Sequence, residues 1–554
     1  MTLREKVGQL VIAPCYGEDP SSRSKDFREF VHLVRDLHIG GFVVINRVTG
    51  GTVRNAEPHA MASFLNRMQR LAKVPLLAAG DFERGASMRV SGTAKFPHLM
   101  AYGAAHDPEL TKQLGAATAK ESRALGIQWV FAPDTDVNNN PDNPIINTRS
   151  FGEDPAAVAR QVSAFIAGAH SDPAHRVLVT AKHFPGHGDT SVDSHMGLPV
   201  LEAARDRIES MEFVPFRAAV TAGVDAIMSA HMSVPALDPA GVPATVSSKI
   251  LTGIVRDELN FQGLVVTDAM NMQGLTSQFS PGEAAVRAIA AGADVLLMPP
   301  DPDAAIKGVL AAVQQGRLTQ KRIDQSVQRI LAAKARVGLH RSKLVNLEKI
   351  SDVIESQEMA DAAQLAADRA VTLVRNEKNS VPLKSPKSTC VWVLAASRNG
   401  QGGRTFLEEI RQRSNEIRTT PLDPLMSQIE IDAALAKTSD CETQVVAAFV
   451  STGAYKGAAS LGGNYPALME ALGKGPAPVV LIALGSPYLL RAFPEVSSFM
   501  ATFSPVQTSE IAAVKALLGE MPITGTLPVT IPGLAKIGEG IMIGSPQPVN
   551  TQAR

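Results

Sequence analysis

Residues 177–195 read VLVTAKHFPGHGDTSVDSH, so that a short apolar run passes directly into a polar loop. The run Val177–Ala181 is brief and continuous, which is typical of a parallel strand buried on both faces. Pro185, Gly186 and Gly188 interrupt any helix or strand, which places the polar residues on a loop that leaves this strand. The stretch therefore predicts an α/β protein with its chemistry at a strand end.

Similar apolar runs recur along the first 300 residues and alternate with segments of helical spacing. The other predicted strands are Gln9–Ala13, Gly41–Ile45, Leu76–Ala79, Trp129–Ala132, Ala226–Ala230, Leu264–Thr267 and Val295–Met298. The predicted helices include Asp26–Leu37, Pro108–Leu125, Pro155–His170 and Leu201–Ala222. Eight strand–helix units of this length predict an N-terminal (β/α)8 TIM barrel. A doubly wound sheet is the alternative, but no Gly-x-Gly-x-x-Gly turn follows the first strand.

Polar residues cluster directly after the predicted strand ends. They are Asp81, Asp134 and Asp136, Lys182 and His183, His231, and Asp268, after the third to seventh strands in that order. The carboxyl ends of barrel strands surround one mouth, where active sites form. We therefore expect these side chains to share one site.

Length and composition limit the remaining possibilities. A chain of 554 residues favours two domains over one. Lys and Arg together equal Asp and Glu at 54 each, so charge gives no reason to expect nucleic acid or an anionic membrane as the main partner. No apolar run reaches the roughly 20 residues that span a bilayer, so no membrane span is expected. The sequence makes no prediction of oligomeric state.

The cysteines and the first residues bear on the cellular compartment. Cys15, Cys390 and Cys441 lie far apart without metal-type spacing, and we expect three free thiols and no disulfide framework. The chain begins Met1-Thr-Leu-Arg-Glu-Lys-Val, without the apolar region of a signal peptide. Two interpretations stay open: a cytoplasmic protein if Met1 is the native start, or an exported or periplasmic one trimmed to its mature form.

A second α/β pattern begins after a polar stretch near residues 342–351. A helical segment, Glu355–Val371, precedes four apolar runs, Val391–Ala395, Val445–Val450, Val479–Leu484 and Phe499–Phe503. They predict a smaller α/β domain with a mainly parallel sheet. We expect a barrel domain over residues 1–340, a linker and connecting helix over 341–370, and the second domain over 371–554. The Gly- and Ser-rich loop Ser451–Asn464 is either a solvated connection or a segment that reaches the barrel mouth.

The polar loop carries a pair suited to acid/base chemistry. Asp193 and His195 stand two positions apart, so an extended loop directs both side chains to one side. A carboxylate beside an imidazole fixes its tautomer, and the imidazolium can protonate a departing glycosidic oxygen. A metal site and a purely structural polar loop are the alternatives.

Asp268 follows a buried strand, where an aspartate is either a helix cap or a reactive carboxylate. Its predicted position at the same mouth as the histidine-rich loop favours a nucleophile that attacks an anomeric carbon. The segments Asp81-Phe-Glu83-Arg84 to Arg89 and Asn147-Thr-Arg149 to Asp154 add groups that hydrogen-bond sugar hydroxyls. For Asp154 we prefer an ion pair at a helix start.

The sequence Lys182-His183-Phe-Pro-Gly-His-Gly, followed by Asp193-Ser-His195, resembles the signature of β-N-acetylglucosaminidases in glycoside hydrolase family 3. Strand order and spacing are similar along most of residues 1–340. The second domain resembles the family's C-terminal α/β sandwich, including Gly525-Thr-Leu-Pro-Val-Thr-Ile-Pro. The resemblance covers nearly the whole chain.

The resemblance implies specific roles. Asp268 is the expected nucleophile, and His195 is the acid/base with Asp193 as its partner. The residues expected to bind the terminal sugar are Lys182, His183, Arg149, Asp81 and Arg89, and the strand-end position of His231 adds it to this set. The glucoside branch of the family usually has Trp after the nucleophile and takes its acid/base from the second domain. Here Ala269 follows Asp268, which favours the N-acetylglucosaminidase branch.

The implied activity is that of a retaining exo-β-N-acetylhexosaminidase acting on peptidoglycan fragments or chitin oligosaccharides, without a metal or organic cofactor. The alternatives are a phosphorylase, in which phosphate replaces water, a β-glucosidase, and a non-catalytic sugar-binding protein. One departure concerns Arg84, because many relatives have Asp-x-Glu-Gly-Gly where this chain has Asp81-Phe-Glu83-Arg84-Gly85. This change affects the expected leaving-group side of the pocket.

Overall fold

The computed structural model describes residues 1–49, 52–354, 356–398, 400–450 and 460–544. The first sheet consists of the parallel strands β1 Val11–Cys15, β2 Gly41–Val44, β3 Leu77–Gly80, β4 Trp129–Val130, β5 Leu178–Phe184, β6 Ala226–Ser229, β7 Leu264–Thr267 and β8 Leu296–Leu297. Their order is β8-β1-β2-β3-β4-β5-β6-β7, and a parallel bridge from Val266 to Val295 joins the two ends. The predicted barrel is confirmed, and the open doubly wound sheet is wrong because this sheet curves back on itself.

Helices follow the barrel strands, as a (β/α)8 arrangement requires. Those of the first 340 residues are Leu3–Gly8, Lys25–Arg35, Pro58–Leu71, Leu99–Ala105, Pro108–Ala124, Pro155–Ala169, Arg205–Ser210, Phe213–Thr221, Gln273–Thr276, Pro281–Ala291, Pro302–Gln314 and Gln320–Arg336, with a π-helix at Lys249–Glu258. Short 3-10 turns lie at Ala86–Met88, Asn147–Arg149 and Ala244–Val246. The single helix predicted over Leu201–Ala222 is wrong: two helices part at Met211, beside the buried carboxylate of Glu212, which pairs with Arg207.

The fifth strand differs from its prediction in a way that affects the site. It continues to Phe184, so Lys182 and His183 belong to the end of the strand and not to the loop after it. Pairing between β5 and β6 shifts register between Ala181 and Phe184. The shift places one extra residue on β5 between Ala181 and Phe184, opposite two steps of β6, which changes the direction of the side chains there.

A two-stranded hairpin, Arg47–Thr49 with Thr52–Arg54, follows β2 and was not predicted. Its paired residues Val48 and Val53 are exposed, so the hairpin lacks the buried apolar run by which the barrel strands were found.

The second sheet comprises β9 Thr372–Asn376, β10 Thr389–Leu394, β11 Arg418–Leu422, β12 Thr443–Val450, β13 Val479–Gly485 and β14 Ser498–Ala501. The order is β9-β14-β13-β12-β10-β11; β9 is antiparallel to β14 and the other pairs are parallel. The helices after residue 340 are Ile350–Ile354, Gln357–Ala370, Arg404–Arg413, Gln428–Ala436, Tyr465–Lys474 and Gln507–Leu518, with 3-10 turns at Leu347–Lys349, Pro386–Ser388 and Pro487–Ala492. Apolar cores cover both faces, so the predicted mainly parallel α/β sandwich is confirmed.

The cysteine prediction is wrong in part. Cys390 and Cys441 form a disulfide with their Cα atoms 5.9 Å apart, while Cys15 is free and buried. The two residues are 51 positions apart, but β10 and β12 are neighbours in the sheet, which brings Cys390 beside the residues that precede β12. Sequence spacing alone does not reveal this proximity.

Contacts divide the chain into two compact units. The first is Met1–Ala94, Thr111–Asn143 and Pro155–Met359, and the second is Lys95–Leu110, Pro144–Asp154 and Ala360–Arg554. Two short segments from within the first 340 residues thus belong to the second unit, and the predicted boundaries at 340 and 371 stay a prediction. Among the described residues, no helix has the length and apolar character needed to cross a membrane. Most of the loop Ser451–Asn464 lies outside the described residues.

Candidate active site

A charged network joins the ends of β3 and β5. Lys182 Nζ lies 3.2 Å from Asp81 Oδ1 and 2.6 Å from Glu83 Oε1, and Arg89 Nη2 lies 3.2 Å from Asp81 Oδ2. Burial alone would raise the pKa of Asp81, but the charges of Lys182 and Arg89 outweigh it and hold this pKa below its usual value. The network provides fixed carboxylate oxygens and N–H donors, which are suited to sugar hydroxyls.

Asn46 belongs to the same network and was not predicted. Its Oδ1 accepts a hydrogen bond from Arg89 Nη1 at 3.3 Å, and its Nδ2 donates to the carbonyl oxygens of Arg54 and Arg89. Asn46 stands two residues after β2, so the strand-end rule that identified the other candidates would also have found it.

His183 is held by a buried carboxylate. Its Nδ1 lies 2.8 Å from Asp136 Oδ2, and the same carboxylate accepts hydrogen bonds from the backbone N–H groups of His183 and His187. Asp136 thus determines the orientation of the imidazole and the course of the chain at the start of the polar loop. The sequence placed Asp136 after a strand but gave it no role.

Asp134, Asp136 and His183 also form the kind of donor set that could bind a metal ion. One ligand atom from each lies within 4.8 Å of the others, and all three residues are buried. The Asp136 carboxylate accepts hydrogen bonds from two backbone N–H groups of the loop. These hydrogen bonds account for its burial without a metal ion. The expectation of an enzyme that needs no metal stays a prediction.

Asp193 and His195 form the pair that the sequence predicts. His195 Nδ1 lies 2.8 Å from Asp193 Oδ1, which also accepts the backbone N–H of His195 at 2.9 Å. The Asp193 side chain is 3% exposed and that of His195 is 26% exposed. The contact of a buried carboxylate with Nδ1 therefore favours the tautomer with the proton on Nδ1, in which Nε2 is the basic nitrogen.

Asp268 stands directly after β7, where its backbone N–H donates to the carbonyl oxygen of Ser229 on β6. One carboxylate oxygen accepts the N–H of Ala269 at 2.7 Å. Burial would raise its pKa, but the electrostatic interaction with His183, followed by that with His231 and by the Ala269 hydrogen bond, lowers the pKa of Asp268 to about 2. The carboxylate is therefore ionised at physiological pH.

His231 follows β6 and is fully buried. Its Nδ1 lies 2.8 Å from Thr245 Oγ1, and its Nε2 lies 3.0 Å from the carbonyl oxygen of Ala269. Burial lowers the pKa of His231 below its usual value, which favours the neutral imidazole. Since its contact is with the residue after Asp268, His231 supports the backbone on which that carboxylate stands.

The structure brings most of the predicted residues together in the first unit. The carboxylate of Asp268 interacts electrostatically with the imidazoles of His183, His231 and His195. Arg149 is different, because it ends a 3-10 turn that belongs to the second unit, and its Nη1 donates to the carbonyl oxygen of Ile145 at 3.0 Å. Its predicted sugar contact stays a prediction.

This arrangement combines an ionised carboxylate, a carboxylate-oriented imidazole and a charged network of hydrogen-bonding groups at one barrel end. Such a set can attack an electrophilic carbon, transfer a proton to a leaving oxygen and hold a polyhydroxylated ligand.

Comparison with known proteins gives a consistent result. The glycosyl hydrolase family 3 N-terminal domain matches residues 2–333, and the family's C-terminal domain matches residues 371–543. The chain is 30% identical to a β-N-acetylglucosaminidase/β-glucosidase of Cellulomonas fimi, over 95% of this chain and 93% of that protein. It is 34% identical to β-hexosaminidase A of Pseudoalteromonas piscicida, over 56% of this chain and 55% of that protein.

A solved structure is similar over almost its full length. It is a glycoside hydrolase family 3 β-N-acetylglucosaminidase from Paenibacillus sp. str. FPU-7, with a TM-score of 0.84 and 32% identity. The match covers 96% of this chain and 99% of that one. The residue pattern, the fold and these similarities agree that the chain belongs to glycosyl hydrolase family 3.

Proposed function

We propose that the protein is a retaining exo-β-N-acetylhexosaminidase that removes terminal β-linked N-acetylglucosamine from peptidoglycan fragments or chitin oligosaccharides. The observation that carries this proposal is the 2.8 Å contact between the His195 imidazole and the Asp193 carboxylate. The same imidazole also interacts electrostatically with Asp268. A glycosidase of this class needs a nucleophilic carboxylate and a separate proton donor.

In the first step, the Asp268 carboxylate attacks the anomeric carbon and forms an ester with the sugar. The glycosidic bond breaks, and its electron pair stays on the leaving oxygen, which takes the proton from His195 Nε2. Asp193 stabilises the imidazolium before this transfer and holds the ring in place. The low pKa of Asp268 keeps the nucleophile ionised while the acid is protonated.

In the second step, the now neutral His195 accepts a proton from water, and the water oxygen attacks the same anomeric carbon. The ester bond to Asp268 breaks, and the sugar leaves with the anomeric configuration of the substrate, because two inversions have taken place. The Asp81, Lys182 and Arg89 network is proposed to bind the hydroxyl groups of the terminal sugar.

The names of similar proteins support this choice of sugar. The Cellulomonas protein is described as acting on both N-acetylglucosaminides and glucosides, and the Paenibacillus structure is that of a β-N-acetylglucosaminidase. Ala269 after the nucleophile, together with the Asp193-Ser-His195 loop, favours the N-acetylated sugar for this chain.

The test is release of 4-nitrophenol from the β-N-acetylglucosaminide and from the β-glucoside, measured side by side. We expect a strong preference for the N-acetylated substrate in kcat/KM. A preference for the glucoside would refute the assigned sugar, and the acid would then have to be sought outside the Asp193–His195 pair.

Phosphorolysis is a second candidate, and the residue that favours it is His195. A neutral or cationic imidazole repels an incoming phosphate dianion less than a carboxylate acid/base would, so phosphate could replace water in the second step. The same assay with inorganic phosphate, followed by product analysis, separates the two. N-Acetylglucosamine 1-phosphate as the main product would establish a phosphorylase, and its absence at high phosphate would exclude one.

A further inference from the structure

Arg84 lies on the loop that follows β3, between Glu83 and Gly85, and its side chain is half-buried. One hydrogen bond of its guanidinium is found, from Nη1 to Ser87 Oγ at 3.3 Å. Among the described residues, no carboxylate lies within ion-pair distance of it. Burial and the nearby positive charge of Arg89 lower the pKa of Arg84 to about 10, so it is still a cation at neutral pH.

The carboxylates nearest to it in sequence are already engaged. Glu83 pairs with Lys182 at 2.6 Å, and Asp81 pairs with both Lys182 and Arg89. Two carboxylates therefore face three cations, and the loop carries an excess positive charge beside the proposed sugar site. Arg89 contributes to the same imbalance, because its Nε is buried and makes no hydrogen bond in the described part of the chain.

A partly desolvated guanidinium without a counter-ion is unfavourable, and an oxyanion that reaches it restores the lost interactions. Arginine suits this purpose because its planar fork can donate two parallel hydrogen bonds to a carboxylate or a phosphate. The unused donors of the half-buried Arg84 thus define the chemical class of the missing ligand.

We propose that Arg84 forms an oxyanion-binding subsite beside the sugar site, and that its ligand is a carboxylate on the leaving group of the substrate. This inference rests on the proposed function, since it places the anion next to the sugar bound by Asp81 and Lys182. It makes Arg84 a specificity-determining residue that favours acidic over neutral leaving groups. Inorganic phosphate has the same oxyanion chemistry, and the experiment distinguishes the two sources.

The test compares two disaccharides with the same β-1,4 linkage and the same terminal N-acetylglucosamine. In one, the leaving sugar is N-acetylmuramic acid, which carries a lactyl carboxylate; in the other it is N-acetylglucosamine, which is neutral. Arg84→Gln removes the charge and keeps a polar side chain of similar reach. Arg70→Gln, an exposed arginine in the last turn of the helix Pro58–Leu71, is the matched control.

We expect Arg84→Gln to lower the ratio of kcat/KM for the acidic over the neutral disaccharide about tenfold, the scale of one charge-assisted hydrogen bond. Hydrolysis of the uncharged 4-nitrophenyl substrate and the properties of Arg70→Gln should be unchanged. Arg84→Lys should recover part of the ratio, because it restores charge without the fork. Free phosphate would be identified as the ligand by two results together. The ratio would be unchanged in Arg84→Gln, and phosphate would alter the rate of the wild type but not that of the variant.

An unchanged ratio without any phosphate effect would overturn the subsite. If the protein hydrolyses neither disaccharide, the proposed function fails, and the subsite is then tested by binding alone. Isothermal titration calorimetry measures the affinity of the wild type and of Arg84→Gln for N-acetylmuramic acid and for inorganic phosphate. Equal affinities of the two proteins for both ligands would refute the subsite. Circular dichroism of each variant excludes misfolding as the cause of a loss.

Discussion

Replacing Asp193 with Asn tests the role of the carboxylate that contacts His195. The asparagine side chain has the same shape, and its oxygen can still accept both hydrogen bonds that Asp193 accepts now, from His195 Nδ1 at 2.8 Å and from its backbone N–H at 2.9 Å. The substitution therefore removes the negative charge and leaves the packing of a side chain that is 3% exposed in place. It isolates the electrostatic support that the imidazolium receives.

The magnitude follows from the hydrogen bond that loses its charge. A hydrogen bond to a charged group contributes about 1.5–3 kcal/mol, against about 1 kcal/mol for a neutral one. The difference is about 0.5–2 kcal/mol. Because the Asp193 carboxylate is buried, solvent screens little of it, and we expect a loss at the upper end, about 2 kcal/mol, in the protonated state. Since 1.4 kcal/mol corresponds to a factor of ten, kcat/KM should fall about 30-fold for a substrate that requires a protonated leaving group.

The assay uses leaving groups of different basicity. Chitobiose has a sugar alkoxide leaving group that needs protonation, whereas 2,4-dinitrophenolate leaves without it. We expect Asp193→Asn to lower kcat/KM about 30-fold for chitobiose and less than about threefold for the dinitrophenyl substrate. Asp189→Asn is the control, because Asp189 lies on the same loop but its carboxylate pairs with Arg207 and not with His195. An equal loss with both substrates, or none with either, would refute the assigned acid/base pair.

Two further predictions concern pH. The pKa of Asp268 is lowered to about 2, so its carboxylate stays ionised above that pH. As the pH is lowered, kcat/KM of the folded enzyme should therefore show no decline centred near pH 4, the ordinary pKa of an aspartic acid. Such a decline would contradict the ionised nucleophile. Lys334 is buried with its ammonium 2.6 Å from Gln9 Oε1, and burial lowers its pKa from 10.5 to about 7. The unfolded chain therefore binds the extra proton between these values, and the free energy of unfolding should rise by about 2 kcal/mol from pH 7 to pH 9. Urea unfolding at both pH values should show this rise in the wild type and its loss in Lys334→Met; an equal rise in both would exclude Lys334 as the cause.

Much of the barrel could be predicted because its strands are buried on both faces. The run Leu264–Thr267 has the predicted bounds, and the other strands lie within a few residues of theirs. The strand-end rule then placed Asp81, Lys182 and Asp268 near one another without any structural information. Burial leaves a clear trace in sequence because it excludes polar residues from consecutive positions.

Elements without such a trace were missed. The hairpin with Val48 and Val53 is exposed, and the edge strand Arg418–Leu422 is mostly polar and partly exposed. Proximity across the sheet also leaves no local signal, which is why the bond between Cys390 and Cys441 was not expected.

The part of the site that the sequence could not give is the pairing of its charges. Asp136 was known to follow a strand, but only the structure shows that its carboxylate holds His183 and the adjoining backbone. In the same way, the composition of the loop after β3 does not show that Glu83 is committed to Lys182 while Arg84 makes no ion pair among the described residues. Ion pairs depend on side-chain directions over long sequence separations, which periodicity does not encode.

The central claim is that Asp268 forms a covalent bond to the sugar, and trapping of that intermediate tests it most directly. A 5-fluoro derivative of N-acetylglucosaminyl fluoride has a reactive leaving group, and its fluorine slows the second step so that the ester accumulates. Mass spectrometry of the intact protein should show one added sugar, and peptide mapping should place it on Asp268. Hydrolysis of the reagent without an adduct, or an adduct on any other residue, would contradict the assignment.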